Sequence, residues 1–399
     1  NIGTVFDPGA GDGRFAASAS YEEYTGYELD KSRSAIPDLP DNARIVNKCA
    51  FSSIDEFDLC IGNPPYVRHH DIDDSWQEIV AEIVESAANK RISRLGNAFL
   101  YFMWQGLFRT KPDGMVAMIV PFEWVSRPSA NSLREYIREN KWNVDVYRFA
   151  DDIFPRVMTT ASLTIIDKSK RKNKWRYYSI NSSFKFKSIA DPHTADNGVL
   201  EYKRGRADVY AKRGLSPGTQ KVFLLTEGER IHFGLQPGED VLPAVSTLRH
   251  VPTSLRALNR HSFNAHFVDT GRRCWLINPH PKVSPRLKEY LAQVNKDERD
   301  TWTCRQRDDW WSFVPDATPA AIFSAGFRES GPRFIENHVR AVAVGGICGL
   351  HLKRRTSIRS LLESLRAFDF ESRVVHHSNS LKKVEIGQMN TVLHQLLGS

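Results

Sequence analysis

An apolar run, Phe57-Asp58-Leu59-Cys60-Ile61-Gly62, leads without a break into Asn63-Pro64-Pro65-Tyr66, and that junction constrains the fold more than any other feature. Two consecutive prolines donate no N–H and have a fixed φ, so neither a strand nor a helix continues through them. The run reads as a strand that stops at Asn63. The tetrapeptide at its end suits one difficult act. The lone pair of an aromatic amine or amide nitrogen is delocalised, and the nitrogen attacks poorly until acceptors take both of its hydrogens. The Asn63 side-chain oxygen and the backbone carbonyl beside it can do so, the prolines leave no competing donor, and Tyr66 offers a face for a planar base. Preorganised acceptors and close positioning are then the main catalytic terms, with no strong general base. Asn-Pro-Pro also makes an ordinary loop after a strand, so the surrounding sequence decides between the two.

Upstream, Val5-Phe6-Asp7-Pro8-Gly9-Ala10-Gly11-Asp12-Gly13-Arg14-Phe15 reads as the end of a buried strand, a glycine loop and the start of a helix. Glycine lets backbone approach a ligand closely, and helix N–H groups lie just beyond. The next strand, Tyr24 to Leu29, carries Glu28 at its end, where such folds grip a ribose diol. Three strand ends thus bring a glycine loop, a carboxylate and the Asn-Pro-Pro-Tyr run to one sheet edge. Further on, Trp76 to Asn89 places Ile79, Val80, Ile83, Val84 and Ala87 on one helical face, Asn97 to Phe108 forms a second helix stopped by a turn at Lys111-Pro112-Asp113-Gly114, and Ser132 to Glu139 forms a third. This alternation predicts an α/β domain, a mostly parallel sheet with helices on both faces.

These residues resemble the S-adenosylmethionine-dependent amino methyltransferases, and more narrowly the gamma-class adenine-N6 DNA methyltransferases. In that class the cofactor motif precedes Asn-Pro-Pro-Tyr and a large target-recognition domain comes after both. The resemblance continues through Gly96-Asn97-Ala98-Phe99-Leu100, through Lys111 to Gly114 leading into a strand from Met115 to Pro121, and through Asp152-Ile153-Phe154-Pro155 ahead of Thr160 to Ile166. It implies a Rossmann-like methyltransferase domain over residues 1–180 and a mixed α+β target-recognition domain over 181–399. It also implies that Asp7, Gly9 and Gly11 line the methionine part of the cofactor, that Glu28 binds its ribose hydroxyls, and that Leu29 and Phe99 flank its adenine. Asn63 and Pro64 would accept from the target amine within a motif completed by Pro65, Tyr66 would stack on the flipped base, and Phe154 would pack on its other side. Ala50 stands where the family often has an acid that contacts the cofactor's adenine amine. The family's cofactor segment ahead of the glycine loop is expected outside this sequence, in an upstream domain.

The implied activity is methyl transfer to N6 of an adenine flipped out of duplex DNA, as in a restriction-modification or phage-defence system. Two alternatives stay open: a methyltransferase acting on RNA bases or protein glutamine, and a DNA-recognition module whose catalytic part is impaired. A restriction subunit is a further possible partner.

Length and composition fit this reading. The 399 residues, 41% apolar, can bury two cores. No apolar run approaches the roughly 18 residues that span a bilayer. The five cysteines are scattered with no C-x-x-C pair, which suits a reducing cytoplasm and gives no zinc site; a cytoplasmic, nucleoid-associated location is expected. Adjacent His69-His70 lacks the carboxylate or cysteine that would complete a metal set, so no metal is expected. The net charge is +8, and between Lys168 and Arg213 thirteen Lys and Arg stand against four acids. Phosphate contact is the obvious use of such a zone, with Lys170, Arg171 and Lys172 as candidates. In the second half, Gln220, Arg305, Arg307, Arg328 and Arg333 carry the amide and guanidinium groups that reading DNA requires. Trp302, Trp310 and Trp311 are expected in the core.

Overall fold

The computed structural model describes residues 2–18, 20–34, 39–150, 153, 160–189, 191, 200, 202–206, 208–328, 330–353, 358–374, 376–378 and 381–398. The chain forms two compact units, residues 1–199 with 375–380 and residues 200–374 with 381–399. The division expected at residue 180 instead falls inside the first unit's sheet, because the chain adds one more strand before leaving it.

In that unit the strands are β1 (Ile2–Asp7), β2 (Tyr21–Tyr27), β3 (Ala43–Val46), β4 (Phe57–Gly62), β5 (Thr110–Pro121), β6 (Asn143–Phe149), β7 (Ala161–Asp167), β8 (Trp175–Ile180) and β9 (Phe186–Ile189). They form one sheet in the order β3-β2-β1-β4-β5-β7-β6-β8-β9. From β3 to β5 all neighbours are parallel, whereas β7 runs antiparallel to β5 and β6. This is the Rossmann-like sheet expected from the sequence. The chain leaves β1 toward β2 and β3, then returns to β4 on the other side. A crevice opens where the order reverses, at the C-terminal ends of β1 and β4.

Side-chain alternation along each strand explains why the sheet is covered on both faces. In β1, Phe6 points into the large core beneath α3 (Asp74–Ala88), α4 (Ala98–Arg109) and α5 (Asn131–Glu139), while Val5 points to the opposite face with Ala16 of α1 (Arg14–Ala17). Both faces are covered toward the C-terminal ends of these strands, where Val5-Phe6 of β1 and Leu59-Cys60-Ile61 of β4 are apolar on either side. Helix α3 starts at Asp73, whose carboxylate accepts from Trp76 N at 2.9 Å. It buries Val80, Ala81, Val84 and Ala88 and leaves Ile79 and Ile83 exposed. Its apolar face is rotated by one position from the one expected, since residues 79, 83 and 87 lie about 100° around the axis from 80, 84 and 88.

The Lys111–Gly114 segment is a bulge within β5 rather than a turn before it. Thr110 pairs with Phe57 and Met115 with Leu59, so four residues face Asp58 alone. Asp58 holds the bulge through Lys111 Nζ at 2.8 Å. A Cβ on Gly114 would lie 2.5 Å from the Asp58 carbonyl oxygen. Gly114→Ala is therefore expected to destabilise the unit by about 1–3 kcal/mol, read as a lower denaturant midpoint; an unchanged midpoint would show that the bulge adapts.

The second unit is α+β. A five-stranded sheet runs in the order Val209–Arg213, Ile347–Leu352, Ala321–Ser324, Phe334–Asn337, Ala257–Leu258, and a four-stranded sheet in the order Leu224–Leu225, Trp275–Ile277, Val241–Val245, Val342–Ala343. Helices Ile358–Ala367 and Ile386–Leu397 cover one face of the larger sheet, where Phe323, Phe334 and Leu350 meet Leu362 and Val392. Ile322 and Ile335 turn to a separate core on the other face. Trp310 and Trp311 pack against the smaller sheet's core as expected. Trp302 does not: it begins a short helix and is 65% exposed. No helix among the described residues is long and apolar enough to cross a membrane.

Candidate active site

The crevice between the ends of β1 and β4 brings together Gly9, Gly11, Glu28, Leu29, Asn63 and Pro65 of the residues singled out above. Asp7 closes β1 with its side chain fully buried. One carboxylate oxygen accepts from Tyr24 Oη at 2.7 Å and the other from Gly9 N at 3.1 Å, so Asp7 fixes the first turn of the glycine loop from beneath. Burial outweighs these hydrogen bonds and lifts the Asp7 carboxyl from its ordinary 3.8 to about 6. The folded-state pKa is the higher one, so the stabilisation from burying a neutral acid is complete below about pH 4 and lost as pH rises through about 6. Relative to Asp7→Asn, the wild type should lose on the order of 3 kcal/mol between those limits. Paired denaturation curves at several pH values test this, and a difference that stays flat with pH would contradict it.

Gly11 has φ of 54°, a left-handed conformation that favours glycine. It directs its N–H to Glu28 Oε2 at 3.0 Å, while Asp30 N donates to Oε1 at 2.9 Å. Each carboxylate oxygen retains a lone pair for a ligand hydroxyl. Gly9, Gly11, Glu28, Leu29, Asn63 and Pro65 all line one cavity of about 640 Å³, within the range of small-molecule sites.

Asn63 is exposed at the cavity, and Pro64 is buried behind it. Tyr66 is half-buried; its hydroxyl donates to the Ile119 carbonyl at 3.0 Å, and desolvation pushes its pKa above the usual phenol range. The ring is thus locked between β5 and the edge of Phe99, at 6.3 Å and 71°. The loop after Tyr66 is fastened to the start of α4 through Ala98 N to Val67 O at 2.9 Å and His69 N to Asn97 Oδ1 at 3.2 Å.

Phe99 is placed differently from expectation. It is 2% exposed in the large core, and the aromatic rings lining the cavity come from Phe102, Trp76 and Tyr27. Ala98 and Phe102 are one turn apart and share the cavity face of α4, which rotates Phe99 inward. Asp71 and Asp73, which were not among the expected site residues, line the same cavity as Ala50. The signal for them was the helix start at Asp73-Asp74-Ser75-Trp76. Phe154 lies outside the described residues. His69 and His70 pack edge to face at 5.1 Å with His70 beside Asp71, and no group of three or more metal-ligating side chains forms among the described residues.

The candidate DNA contacts are dispersed. Asp167, next to Lys168, pairs with Met115 just past the bulge of β5, whereas Ala161 pairs with Pro121 at its end. The exposed turn bearing Lys170, Arg171 and Lys172 therefore lies at the opposite sheet edge from the cavity, because β7 runs backward. Lys170 is paired with Asp167 at 2.9 Å. Lys168 is buried, donates to the Leu107 and Thr110 carbonyls, and is lowered to about 8 by desolvation. In the second unit, Arg307 donates to the Pro217 carbonyl at 2.8 Å and sits over Phe223 and Phe313. Arg333 donates to the carbonyls of Leu248 and Pro252 at 2.8 and 2.7 Å. These two arginines hold loops rather than face solvent with free guanidinium groups. Gln220 and Arg328 are exposed, and Arg305 is exposed beside Asp300.

Comparison with known proteins matches the family model of the Eco57I restriction-modification methylase over residues 22–154. It also matches that of the C-terminal domain of the type II methyltransferase M.Eco57I over residues 202–367. Residues 22–154 thus match the Eco57I-type restriction-modification methylases and residues 202–367 match their C-terminal domain. It is 22% identical over 391 residues to the type II methyltransferase M.AccI of Acinetobacter calcoaceticus, a match covering 84% of this chain and 68% of that protein. With M.XamI of Xanthomonas campestris pv. amaranthicola it shares 28% over 181 residues, covering 40% of this chain and 33% of that one. The solved type IIG restriction endonuclease BpuSI aligns with 97% of this chain and 55% of its own at 12% identity and a TM-score of 0.42.

The cofactor of this methylase family is S-adenosylmethionine, and the cavity fits it. Glu28 is free to accept from ribose hydroxyls, and the apolar wall of Leu29, Trp76 and Phe102 suits an adenine. The Asp71 and Asp73 carboxylates suit a cationic methionine end.

Proposed function

We propose that this chain methylates N6 of an adenine flipped out of duplex DNA, as the modification activity of a restriction-modification system. The observation that carries the reading is that Asn63 and Pro65 line the same cavity as Gly9, Gly11 and Glu28. Amine acceptors and cofactor groups thus share one space. S-adenosylmethionine supplies an electrophilic methyl group there. Asn63 Oδ1 and the Pro64 carbonyl accept the two N6 hydrogens, which localises the nitrogen lone pair toward the methyl. Tyr66, held through its hydroxyl, presents a fixed ring to the base, and the surplus proton leaves to water. The adenine must leave the helix stack first, since a sheet edge cannot reach N6 inside a duplex. Transfer of a tritiated methyl group to duplex DNA, with RNA and total protein as parallel acceptors, tests the substrate class. Label in DNA supports the reading; label only in RNA or protein overturns it.

A further inference from the structure

The β8–β9 hairpin carries a surface that the site does not use. Its turn, residues 181–185, lies on the same sheet edge as the cavity: Pro121 pairs with Ala161, Ser162 with Arg148, Phe149 with Ile180, and Ile180 with Phe186. The turn is ordered by Asn181, whose Oδ1 accepts from Ser183 N at 3.1 Å and Lys185 N at 3.0 Å. Phe184 sits at its tip with φ of 56° and 74% exposed, and Phe186 is 61% exposed. A bulky residue rarely adopts the left-handed region. Here that conformation presents an aromatic ring to solvent. The base beneath is firm, since Tyr147 and Tyr178 stack at 4.8 Å and Phe186 packs edge-on against both. Residues 181–189 contain two lysines and no acid. Unlike Lys170 and Arg176, neither Lys185 nor Lys187 forms an ion pair among the described residues.

We propose that this hairpin is an arm that grips duplex DNA beside the methylated site, with Lys185 and Lys187 on phosphates and Phe184 against the groove. The proposal rests on the reading that the substrate is duplex DNA. Four to five strand spacings separate the turn from β4, about 20–25 Å, or roughly six base pairs of duplex. Contacts so far from the target base add affinity without reading sequence, and phosphates with an apolar wedge are the chemistry such an arm fits.

The test is the salt dependence of binding of the full chain to a fluorescent duplex of about 40 base pairs, long enough to extend past the arm on either side of the target base. The double variant Lys185→Ala, Lys187→Ala should reduce the slope of log affinity against log salt by about 1.8. Phe184→Asn, which keeps the left-handed turn without the ring, should weaken binding severalfold at unchanged slope. Calorimetry with S-adenosylmethionine, whose site is remote from the hairpin, verifies that both variants are folded. Wild-type slope and affinity in both variants would overturn the arm while leaving DNA as the substrate. A wild-type chain that binds no duplex at any salt would overturn both.

Discussion

Asn63→Ala is expected to lower methyl transfer by about 10²–10³-fold, the effect of removing one preorganised polar group at a reacting centre, while cofactor affinity stays close to wild type. The separation comes from how Asn63 is placed. Its side chain is exposed at the cavity and makes no hydrogen bond among the described residues, so truncation removes no contact that holds β4 or the glycine loop. The strand end is kept by other groups. Pro64 and Pro65 lie 3.7 Å from the position a Cβ on Gly9 would take, and Gly62 packs against Asp7. The acceptor can be deleted with the scaffold intact. Single-turnover transfer measured beside calorimetry with S-adenosylmethionine checks both halves of the expectation. Near-normal turnover would remove Asn63 from the chemistry, and parallel loss of binding and turnover would make it a scaffold residue.

Glu28→Ala is expected to do the converse. Its carboxylate joins the glycine loop to the end of β2 through Gly11 N and Asp30 N, and it faces the cavity with lone pairs to spare. Hydrogen bonds to a charged acceptor contribute about 1.5–3 kcal/mol, so cofactor affinity should fall by about 10–150-fold. Turnover at saturating cofactor should fall much less. Glu28→Gln, which keeps one acceptor oxygen, should lie between. An unchanged dissociation constant for Glu28→Ala would show that the ribose is held elsewhere in the cavity. The two variants together divide the site into a cofactor part on β1 and β2 and an amine part on β4.

Much of the placement of these residues was legible in the chain itself. Glycine and proline act locally, so the end of β4 at Gly62 and the loop at Gly9 to Gly13 were readable from residue types alone, and Glu28 was readable from its place at the end of an expected strand, which in the structure stops one residue earlier at Tyr27. What depended on tertiary direction was not. The basic turn at Lys170 to Lys172 sits on the far sheet edge because β7 is antiparallel, and nothing within Ala161 to Asp167 states which way that strand runs. Phe99 and Phe102 are both aromatic on one helix, and only the packing of α4 on β4 and β5 decides which one faces the cavity. Arg307 and Arg333 read as free cations because the carbonyls that engage them, at Pro217, Leu248 and Pro252, are more than eighty residues away in sequence. The bulge at Lys111 to Gly114 contains the residues of a turn, and whether such residues end a helix or kink a strand depends on the partner, here Asp58.

The most direct measurement is the identity of the product. Duplex DNA free of methylated bases, incubated with the purified chain and S-adenosylmethionine and then digested to nucleosides, is resolved by mass spectrometry. The arrangement of Asn63 and Pro64 beside the cofactor cavity predicts N6-methyladenine that appears with the wild type and disappears with Asn63→Ala. Methylation confined to cytosine, or N6-methyladenine formed equally by the Asn63→Ala chain, would contradict it.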